Sequence, residues 1–354
     1  MSVNRVCEEQ EWKQIKCESW NDLMPSPSSR FARLIVKYVM APPYKRAGTS
    51  ISEWRKLVQP YVKLQKVPAG TQVQPVSVHG VTAEWVRAPS AHTDCAILYL
   101  HGGAFIMGSP ATHRDLAARL SAAARAQVLT LDYGLAPEHP FPAAMQDAIS
   151  AYHWLLDQGY AAGRIAIGGD SAGGGLALQA LIALRDAGST LPSAAFFISP
   201  VTDWVRFDGE SFSTRAGVDP WIFLAMCKFT SAHYVGSSDP ATPLLHPTDM
   251  DLSGLPPLCI HVGDEEVLLS DSVRLAERAR ACQVQVELVI WPRMWHVFQT
   301  MASFVPEAQQ SLDEIGWFVG RHADCVCSKP SERKPNSQRG DRAAQEQVRC
   351  LLVR

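Results

Sequence analysis

The chain contains 354 residues, of which 47% are hydrophobic and 19% charged, the balance of an ordinary globular protein. Its 33 Lys and Arg residues against 35 Asp and Glu residues give a formal charge of −2, so no global field favours nucleic acid or an anionic membrane as a partner. No run of about 18 apolar residues is present, and the first twenty residues lack the apolar segment of a signal peptide. These features predict a cytoplasmic protein with no integral membrane segment.

The nine cysteines are odd in number and lack the paired spacing of a zinc module. Cys325 and Cys327 form a C-x-C pair, but no second half of a metal site accompanies them. We therefore interpret most of the cysteines as free thiols, and we expect no metal.

Residues 1–65 show two helical patterns and no strand pattern. Phe31, Leu34 and Tyr38 recur at helical spacing in the first pattern, and Pro42-Pro43 is expected to end that helix. The second pattern covers residues 51–58. Because amphipathic helices without a sheet of their own must pack on something else, this stretch is predicted to be a helical cap segment.

From residue 66 the pattern changes to strands that alternate with helices. Two strands joined by a short polar turn come first, and continuous apolar runs of the kind found in buried parallel strands follow. The sequence predicts an α/β domain over residues 66–321, with a mostly parallel eight-stranded sheet flanked by helices. The eight predicted strands cover residues 72–78, 82–87, 96–100, 128–131, 164–168, 194–199, 258–262 and 284–291.

Two stretches depart from this alternation. Residues 201–250 form an insertion before the seventh strand, with a helix expected to start at Asp219 as N-cap and Pro220 as its first residue. Residues 322–354 form a tail that carries seven basic and three acidic residues from Lys329 onward. Its low apolar content predicts disorder.

The first chemical motif is Gly169-Asp170-Ser171-Ala172-Gly173, which follows a buried strand and opens a helix. Small residues around a serine in a strand-to-helix turn predict a nucleophile elbow, with the hydroxyl projecting above the sheet edge. The helix N-terminus then lies where negative charge develops during acyl transfer.

A second motif, His101-Gly102-Gly103-Ala104-Phe105, follows the third strand. Glycines let backbone N–H groups approach a substrate oxygen without obstruction. The N–H groups of Gly102, Gly103 and Ala172 are therefore predicted to form an oxyanion hole.

Together with the segment YGLAPEHPFPA over residues 133–143, these motifs make the chain resemble the hormone-sensitive lipase family of α/β-hydrolases, in its bacterial esterase branch. The resemblance covers residues 50–321 and departs from the family pattern at Ala104 and at Gly134. It implies the α/β-hydrolase fold with a helical cap formed by the amino-terminal segment and the insertion. It also implies a serine carboxylesterase that acts on short- to medium-chain esters without a cofactor.

A base and an acid are expected after the serine in chain order. His233, His246, His261, His296 and His322 are the available histidines, and the resemblance places the base at His296, in the loop after the last strand. Asp264, Glu265 and Glu266 are consecutive, so the residues alone leave the acid open between them. The family pattern, an acid followed two positions later by leucine, implies Glu266, and Asp264 is the rival.

Apolar side chains of the amino-terminal helix and of the insertion are the candidates for a substrate pocket, although packing between cap and sheet explains many of them equally well. The candidates are Phe31, Leu34, Tyr38, Phe212, Trp221 and Met226, with Trp204, Phe223 and Phe229 in the same insertion.

A small-molecule ester is the expected partner, and the oligomeric state, homodimer included, stays open. An amide or lactone hydrolase is the nearest alternative function, because the same machinery serves it. A non-catalytic ligand receptor on the same fold is the alternative from another class.

Overall fold

The computed structural model describes residues 25–46, 50–64 and 66–325. The expectations for the first 24 residues and for the basic tail from Lys329 onward lie outside this range.

Eight strands form one sheet in the order β1-β2-β4-β3-β5-β6-β7-β8. β2 is antiparallel to both of its neighbours, and all other pairs are parallel. The predicted mostly parallel eight-stranded sheet is confirmed. The strands are β1 (Gln72–Val78), β2 (Val81–Arg87), β3 (His92–Leu100), β4 (Ala126–Leu131), β5 (Ile165–Asp170), β6 (Ala194–Ile198), β7 (Leu258–Gly263) and β8 (Val286–Trp291).

Helices cover both faces of the sheet, which explains why the inner strands are apolar on both sides. Along β3, Ile97 and Tyr99 belong to one apolar cluster, and Leu98 and Leu100 belong to the other. The first cluster is completed by α4 (Pro110–Ala124) and α10 (Pro306–His322), and the second by α5 (Ala143–Asp157), α6 (Ala172–Asp186) and α9 (Leu269–Ala281).

The amino-terminal helices differ from the prediction at Pro42-Pro43. α1 (Pro27–Ile35) continues as a π-helical turn (Val36–Met40) and then as α2 (Ala41–Arg46), and α3 (Ile51–Leu64) follows. The expected stop at the two prolines is wrong. Both lie in the first turn of α2, where an N–H has no partner within its own helix and proline is tolerated.

The insertion between β6 and β7 carries α7 (Ser211–Thr214) and α8 (Leu224–Val235). The carboxylate of Asp219 accepts the N–H groups of Trp221 and Ile222 at 2.8 and 2.9 Å, as an N-cap does. The expected helix start at Asp219 is nevertheless wrong, because the backbone of Phe223 is extended (φ −145°, ψ 149°) and α8 begins only at Leu224. Trp221 packs edge-on against Tyr44 of α2, with ring centroids 5.3 Å apart. The insertion and the amino-terminal helices are therefore in direct contact.

The carboxyl end of α10 is tied to the sheet by a disulfide. Cys95 of β3 and Cys325 are bonded across a sequence separation of 230 residues. The expectation of free thiols is wrong for these two cysteines, because a pairing between such distant residues depends on the fold and leaves no local sequence pattern.

Candidate active site

Ser171 lies in a strained turn between β5 and α6. Its φ of 52° and ψ of −119° fall in a region of backbone conformation that residues other than glycine rarely adopt. The turn needs close backbone approach at Gly173, because a Cβ there would lie 2.0 Å from the carbonyl oxygen of Leu100. The Ser171 N–H donates to the Ile198 carbonyl at 2.8 Å, which ties the elbow to the end of β6.

A hydrogen-bonded chain runs from the serine hydroxyl to a buried carboxylate. His296 Nε2 lies 3.0 Å from Ser171 Oγ, and His296 Nδ1 lies 2.7 Å from Glu266 Oε2. The other carboxylate oxygen of Glu266 accepts the Ser199 hydroxyl and the Gly263 N–H, each at 2.7 Å. Glu266 is fully buried and its hydrogen bonds fix the carboxylate, so it can orient the imidazole.

The three consecutive acids point to three different partners. Glu266 reaches His296, whereas Asp264 accepts the N–H of Arg293 and Glu265 forms an ion pair with Arg33 at 2.6 Å. The geometry therefore favours Glu266 over the rival Asp264 as the partner of the imidazole.

The other candidate histidines have different surroundings. His261 is buried in β7, where it contacts Ser311 Oγ at 2.8 Å and accepts the Trp291 indole N–H at 3.0 Å. His246 binds Asp203, and His233 and His322 pack on aromatic rings. Within the part of the chain that the structure describes, only the imidazole of His296 reaches the serine hydroxyl.

Charges around His296 favour its protonated form. Burial lowers the pKa of His296, but the hydrogen bond and charge of Glu266, together with the charges of Asp219 and Asp170, raise it, and the net pKa lies above the ordinary value. Asp219 itself is half-buried, and desolvation raises its pKa to about 6 although the nearby His296 lowers it. The site is therefore arranged to stabilise an imidazolium.

The loop after β3 uses its N–H groups differently from the prediction. The Gly102 N–H donates to the Asp170 carboxylate at 2.9 Å, so this group is already occupied. The N–H groups of Gly103, Ala104 and Ala172 have no hydrogen-bond acceptor in the described parts of the chain. Ala104 has a positive φ of 54°, which holds the loop in a left-handed bend.

Beneath this loop lies a second carboxylate–imidazole pair that the sequence reasoning missed. Asp170 Oδ1 accepts the Tyr99 hydroxyl at 2.6 Å and lies 3.4 Å from His113 Nε2. Burial lowers the pKa of His113, but the charge of Asp170 outweighs it and the net pKa is raised. The sequence offered one signal for this pair: Asp170 is a charged residue at the end of a buried strand, where it needs a partner.

One arginine of the amino-terminal segment holds two loops of the site. Arg55 of α3 donates to the Ile106 carbonyl at 2.7 Å and to the Ala136 carbonyl at 2.9 Å. It also forms two hydrogen bonds of 2.7 Å with Glu138. Glu138 therefore joins the loop that follows β4 to α3.

A small apolar cavity of about 30 Å³ lies beside the elbow. Val201, one of its lining residues, donates its N–H to the Ser171 carbonyl at 3.1 Å. Of the predicted pocket residues, Met226 and Trp204 line this cavity. The lining residues are Ala104, Val201, Trp204, Phe207, Ile222, Met226, Cys227 and Thr230.

The remaining pocket predictions are not supported by the structure. Phe212 is buried against Phe207, with ring centroids 5.6 Å apart, and Trp221 packs on Tyr44. Phe31, Leu34 and Tyr38 are exposed to solvent, because α1 turns Ser29 and Ala32 inward instead. Helical spacing identified this apolar face, but it could not tell which side of the helix meets the protein.

Three features define an α/β-hydrolase. They are a sheet in which only the second strand runs antiparallel to the others, a serine in a strand-to-helix turn, and a histidine in the loop after the last strand. Residues 97–300 match the family model described as the alpha/beta hydrolase fold. An acetyl-hydrolase of Streptomyces hygroscopicus is 44% identical over 69% of this chain and 81% of its own length. A carboxylesterase/phospholipase of Mycobacterium tuberculosis is 37% identical over 71% of this chain and 69% of its own length.

Solved structures narrow the class further. An esterase from the bacterial hormone-sensitive lipase family superimposes with a TM-score of 0.79 at 40% identity, covering 85% of this chain and 99% of that chain. A structure of EstE5 soaked with p-nitrophenyl butyrate gives a TM-score of 0.79 at 41% identity over 84% and 99% of the two chains. The chain belongs to the bacterial hormone-sensitive lipase family of α/β-hydrolases, and it is a carboxylic ester hydrolase.

Proposed function

We propose that the chain hydrolyses carboxylic esters of short acyl chains, with Ser171 as nucleophile, His296 as base and Glu266 as the acid that orients the base. The continuous hydrogen-bonded chain from Ser171 Oγ through His296 to Glu266 carries this proposal. His296 accepts the serine proton while Oγ attacks the ester carbonyl, and then returns it to the leaving alcohol. A water molecule activated by the same imidazole releases the acid from the acyl-enzyme.

We propose a revised oxyanion hole formed by the N–H groups of Gly103, Ala104 and Ala172. Gly102 is left out because its N–H binds Asp170. The three proposed donors lie on the loop after β3 and at the first turn of α6, where the helix dipole adds to the stabilisation of negative charge.

The cavity beside the serine favours a short acyl group. A space of about 30 Å³ accommodates a chain of roughly two to four carbon atoms, since a water molecule needs about 10–15 Å³ of the same measure. Its bulky walls, Trp204 and Phe207, oppose longer chains. This narrows the short- to medium-chain range expected from the sequence to its lower end.

A series of p-nitrophenyl esters tests the substrate range. We expect kcat/KM to be highest for acetate or butyrate and to fall for octanoate, and a rate that rises steadily with chain length would contradict the cavity argument. Ser171→Ala should lower kcat by about 10⁵-fold or more, while Ser193→Ala, at a half-buried serine remote from the elbow, should not.

Amides and lactones in the same panel test the nearest alternative function. Labelling of Ser171 by an organophosphonate tests the receptor alternative, because a receptor without chemistry does not become covalently modified. An unlabelled but folded protein would overturn the proposed mechanism.

We further propose a cap formed by residues 1–65 with the insertion 201–250, over a catalytic domain of residues 66–321. The contact between Trp54 and Phe229, with ring centroids 5.3 Å apart, supports grouping the two cap pieces. We also propose a homodimer, without assigning its interface. Light scattering, which measures the mass of the protein in solution, tests this proposal.

No helix among the described residues has the length and apolar character needed to cross a bilayer. We propose the cytoplasm as the compartment. Because disulfides are rare in reducing compartments, thiol trapping of Cys95 and Cys325 in cells tests this proposal, and a fully oxidised pair would argue against it.

A further inference from the structure

The outward side of the amino-terminal helix carries an apolar surface that the proposed chemistry does not use. Four of the seven large apolar side chains exposed in the described chain lie there: Phe31 (64% exposed), Leu34 (51%), Tyr38 (65%) and Val39 (64%). We call these four residues the lid face. Exposed apolar residues that cluster on one surface often mark an interaction site, whereas single exposed apolar residues are ordinary.

Two further exposed apolar residues flank the lid face. Val218 adjoins it, because the carbonyl of Val218 accepts a hydrogen bond from Arg33 at 2.5 Å. Phe304 lies three residues before Glu307, whose carboxylate binds the start of α1. The seventh exposed residue, Ile290, lies on β8. Apolar exposure is thus concentrated around one helix.

The inner side of the same helix is already packed and anchored. Ala32 and Val36 are buried, and Ser29 donates its hydroxyl to Glu307 at 2.5 Å. Arg33 pairs with Glu265 at 2.6 Å. Because the helix already buries its inner side, the lid face cannot be covered by a simple rotation of the helix onto the sheet.

Basic residues border the lid face along the chain. Residues 23–52 contain five basic residues and no acidic one, and one of the five, Arg33, is paired with Glu265. Arg30 and Lys37 are exposed beside the apolar residues, and Lys37 Nζ lies 5.4 Å from the centre of the Tyr38 ring. Aromatic and aliphatic side chains bordered by basic residues on one helix are the pattern of an interfacial amphipathic helix.

We propose that the lid face docks on an anionic lipid surface. Phe31, Leu34 and Tyr38 enter the boundary between headgroups and acyl chains, and Arg30 and Lys37 bind the anionic headgroups. A second copy of the chain fits this surface less well, because the exposed Arg30 and Lys37 of one copy would then face those of the other.

The docking surface lies next to the candidate active site. Arg33 binds Glu265, the neighbour of Glu266, and the carbonyl of Val218, the neighbour of Asp219. Docking would therefore place the active-site side of the cap at the lipid surface and favour esters drawn from it. This consequence rests on the proposed function, whereas the docking itself does not.

Co-sedimentation of the full-length Ser171→Ala protein with vesicles tests the docking without any turnover. Vesicles of phosphatidylcholine with about 30% phosphatidylglycerol should bind the protein, and pure phosphatidylcholine or high salt should weaken binding strongly. Arg30→Glu/Lys37→Glu should lower the partition coefficient at least about 25-fold, since each basic residue near such a surface contributes about fivefold. Phe31→Ser/Tyr38→Ser should lower it at least about tenfold.

Matched controls separate the lid face from general surface properties. Arg125→Glu/Arg278→Glu reverses two exposed charges elsewhere, and Ile290→Ser removes the exposed apolar residue of β8, so both should bind vesicles like the parent protein. In a background that retains Ser171, the lid-face variants should hydrolyse dissolved p-nitrophenyl acetate normally, which shows that they are folded. Failure of that hydrolysis in the parent protein would overturn the proposed function and leave the docking result standing.

Several outcomes would overturn the docking. They are an absence of binding to anionic vesicles, an equal loss of binding in the controls, and binding only after removal of residues 2–22, which would show that this segment covers the lid face. A change from dimer to monomer in the lid-face variants, without vesicle binding by the parent protein, would assign the surface to a second copy.

Discussion

Two carboxylate–imidazole pairs lie near Ser171: the carboxylate of Glu266 is 2.7 Å from His296 Nδ1, and that of Asp170 is 3.4 Å from His113 Nε2. Both pairs are buried, and in both the carboxylate raises the pKa of the imidazole. The first imidazole touches the serine hydroxyl. The second pair fixes the backbone of the loop after β3, because the Asp170 carboxylate accepts the Gly102 N–H. The same ionic chemistry thus adjoins the proposed nucleophile in one place and positions a loop in the other.

Of the changes that separate the two pairs, the largest effect is expected from breaking the first pair. Glu266→Gln keeps the shape of the side chain but removes its charge, and we expect kcat to fall by about 10³- to 10⁴-fold, because the imidazolium loses its stabilisation. Asp264→Asn is the matched control, since Asp264 binds the Arg293 N–H instead of His296. Steady-state kinetics with p-nitrophenyl acetate measures both. A Glu266→Gln enzyme with unimpaired turnover would falsify the assignment.

Breaking the second pair should cost less. His113→Asn leaves Asp170 without its cationic partner, and we expect kcat to fall about 10- to 100-fold through misplacement of the loop, with little change in KM. His153→Asn, at an exposed position of α5, is the control. Tyr99→Phe removes another hydrogen bond to Asp170 and should act in the same direction.

The pH profile distinguishes the two pairs. His296 must be neutral to act as a base and its pKa is raised, so kcat/KM should rise with pH through an apparent pKa above 6.5. Glu266→Gln removes a charge that raises this pKa, so the rising limb of the pH profile of kcat/KM should move to lower pH. His113→Asn removes the positive charge beside Asp170, whose carboxylate also raises the pKa of His296, so the rising limb of the profile should move slightly to higher pH. A move to lower pH in the His113 variant, like that in Glu266→Gln, would contradict this separation of the two pairs.

The smallest effect concerns the loop that the second pair supports. Ala104 lines the cavity proposed for the acyl group and has a positive φ of 54°, a conformation that glycine adopts more easily. Ala104→Gly removes a methyl group from the wall, and we expect the ratio of hexanoate to acetate hydrolysis to rise a few-fold. Ala241→Gly, on the exposed surface, is the control. An unchanged ratio would mean that Ala104 does not limit acyl length.

The fold was largely predictable because strands buried on both faces produce long apolar runs. β6, which is buried along its whole length, differs from the prediction by one residue at its end. β1 is a partly exposed edge strand, and it begins and ends as its alternating pattern predicted. The amino-terminal segment was harder, because the π-helical turn carries the helix past Pro42-Pro43. Propensity places a helix end at such prolines, and only the three-dimensional path shows that they begin a new first turn.

The site was predictable where function imposes a local motif and unpredictable where it depends on contacts between distant residues. Ser171 and His296 stood in recognisable contexts, and the structure brings them together. The occupation of the Gly102 N–H by Asp170, and the position of His113 beneath the loop, depend on how β3, β5 and α4 pack. No spacing in the chain encodes those contacts.

Arg55 matters for any exchange of parts between related enzymes. Its guanidinium joins α3 to the Ile106 and Ala136 carbonyls and to Glu138, so the cap and the catalytic loops share one side chain. A chimera that receives a foreign amino-terminal segment without an arginine at this position would leave two carbonyls and a carboxylate without their donor. Substrate range therefore cannot be transplanted with the cap alone, and a recombination boundary must keep Arg55 together with residues 106–138.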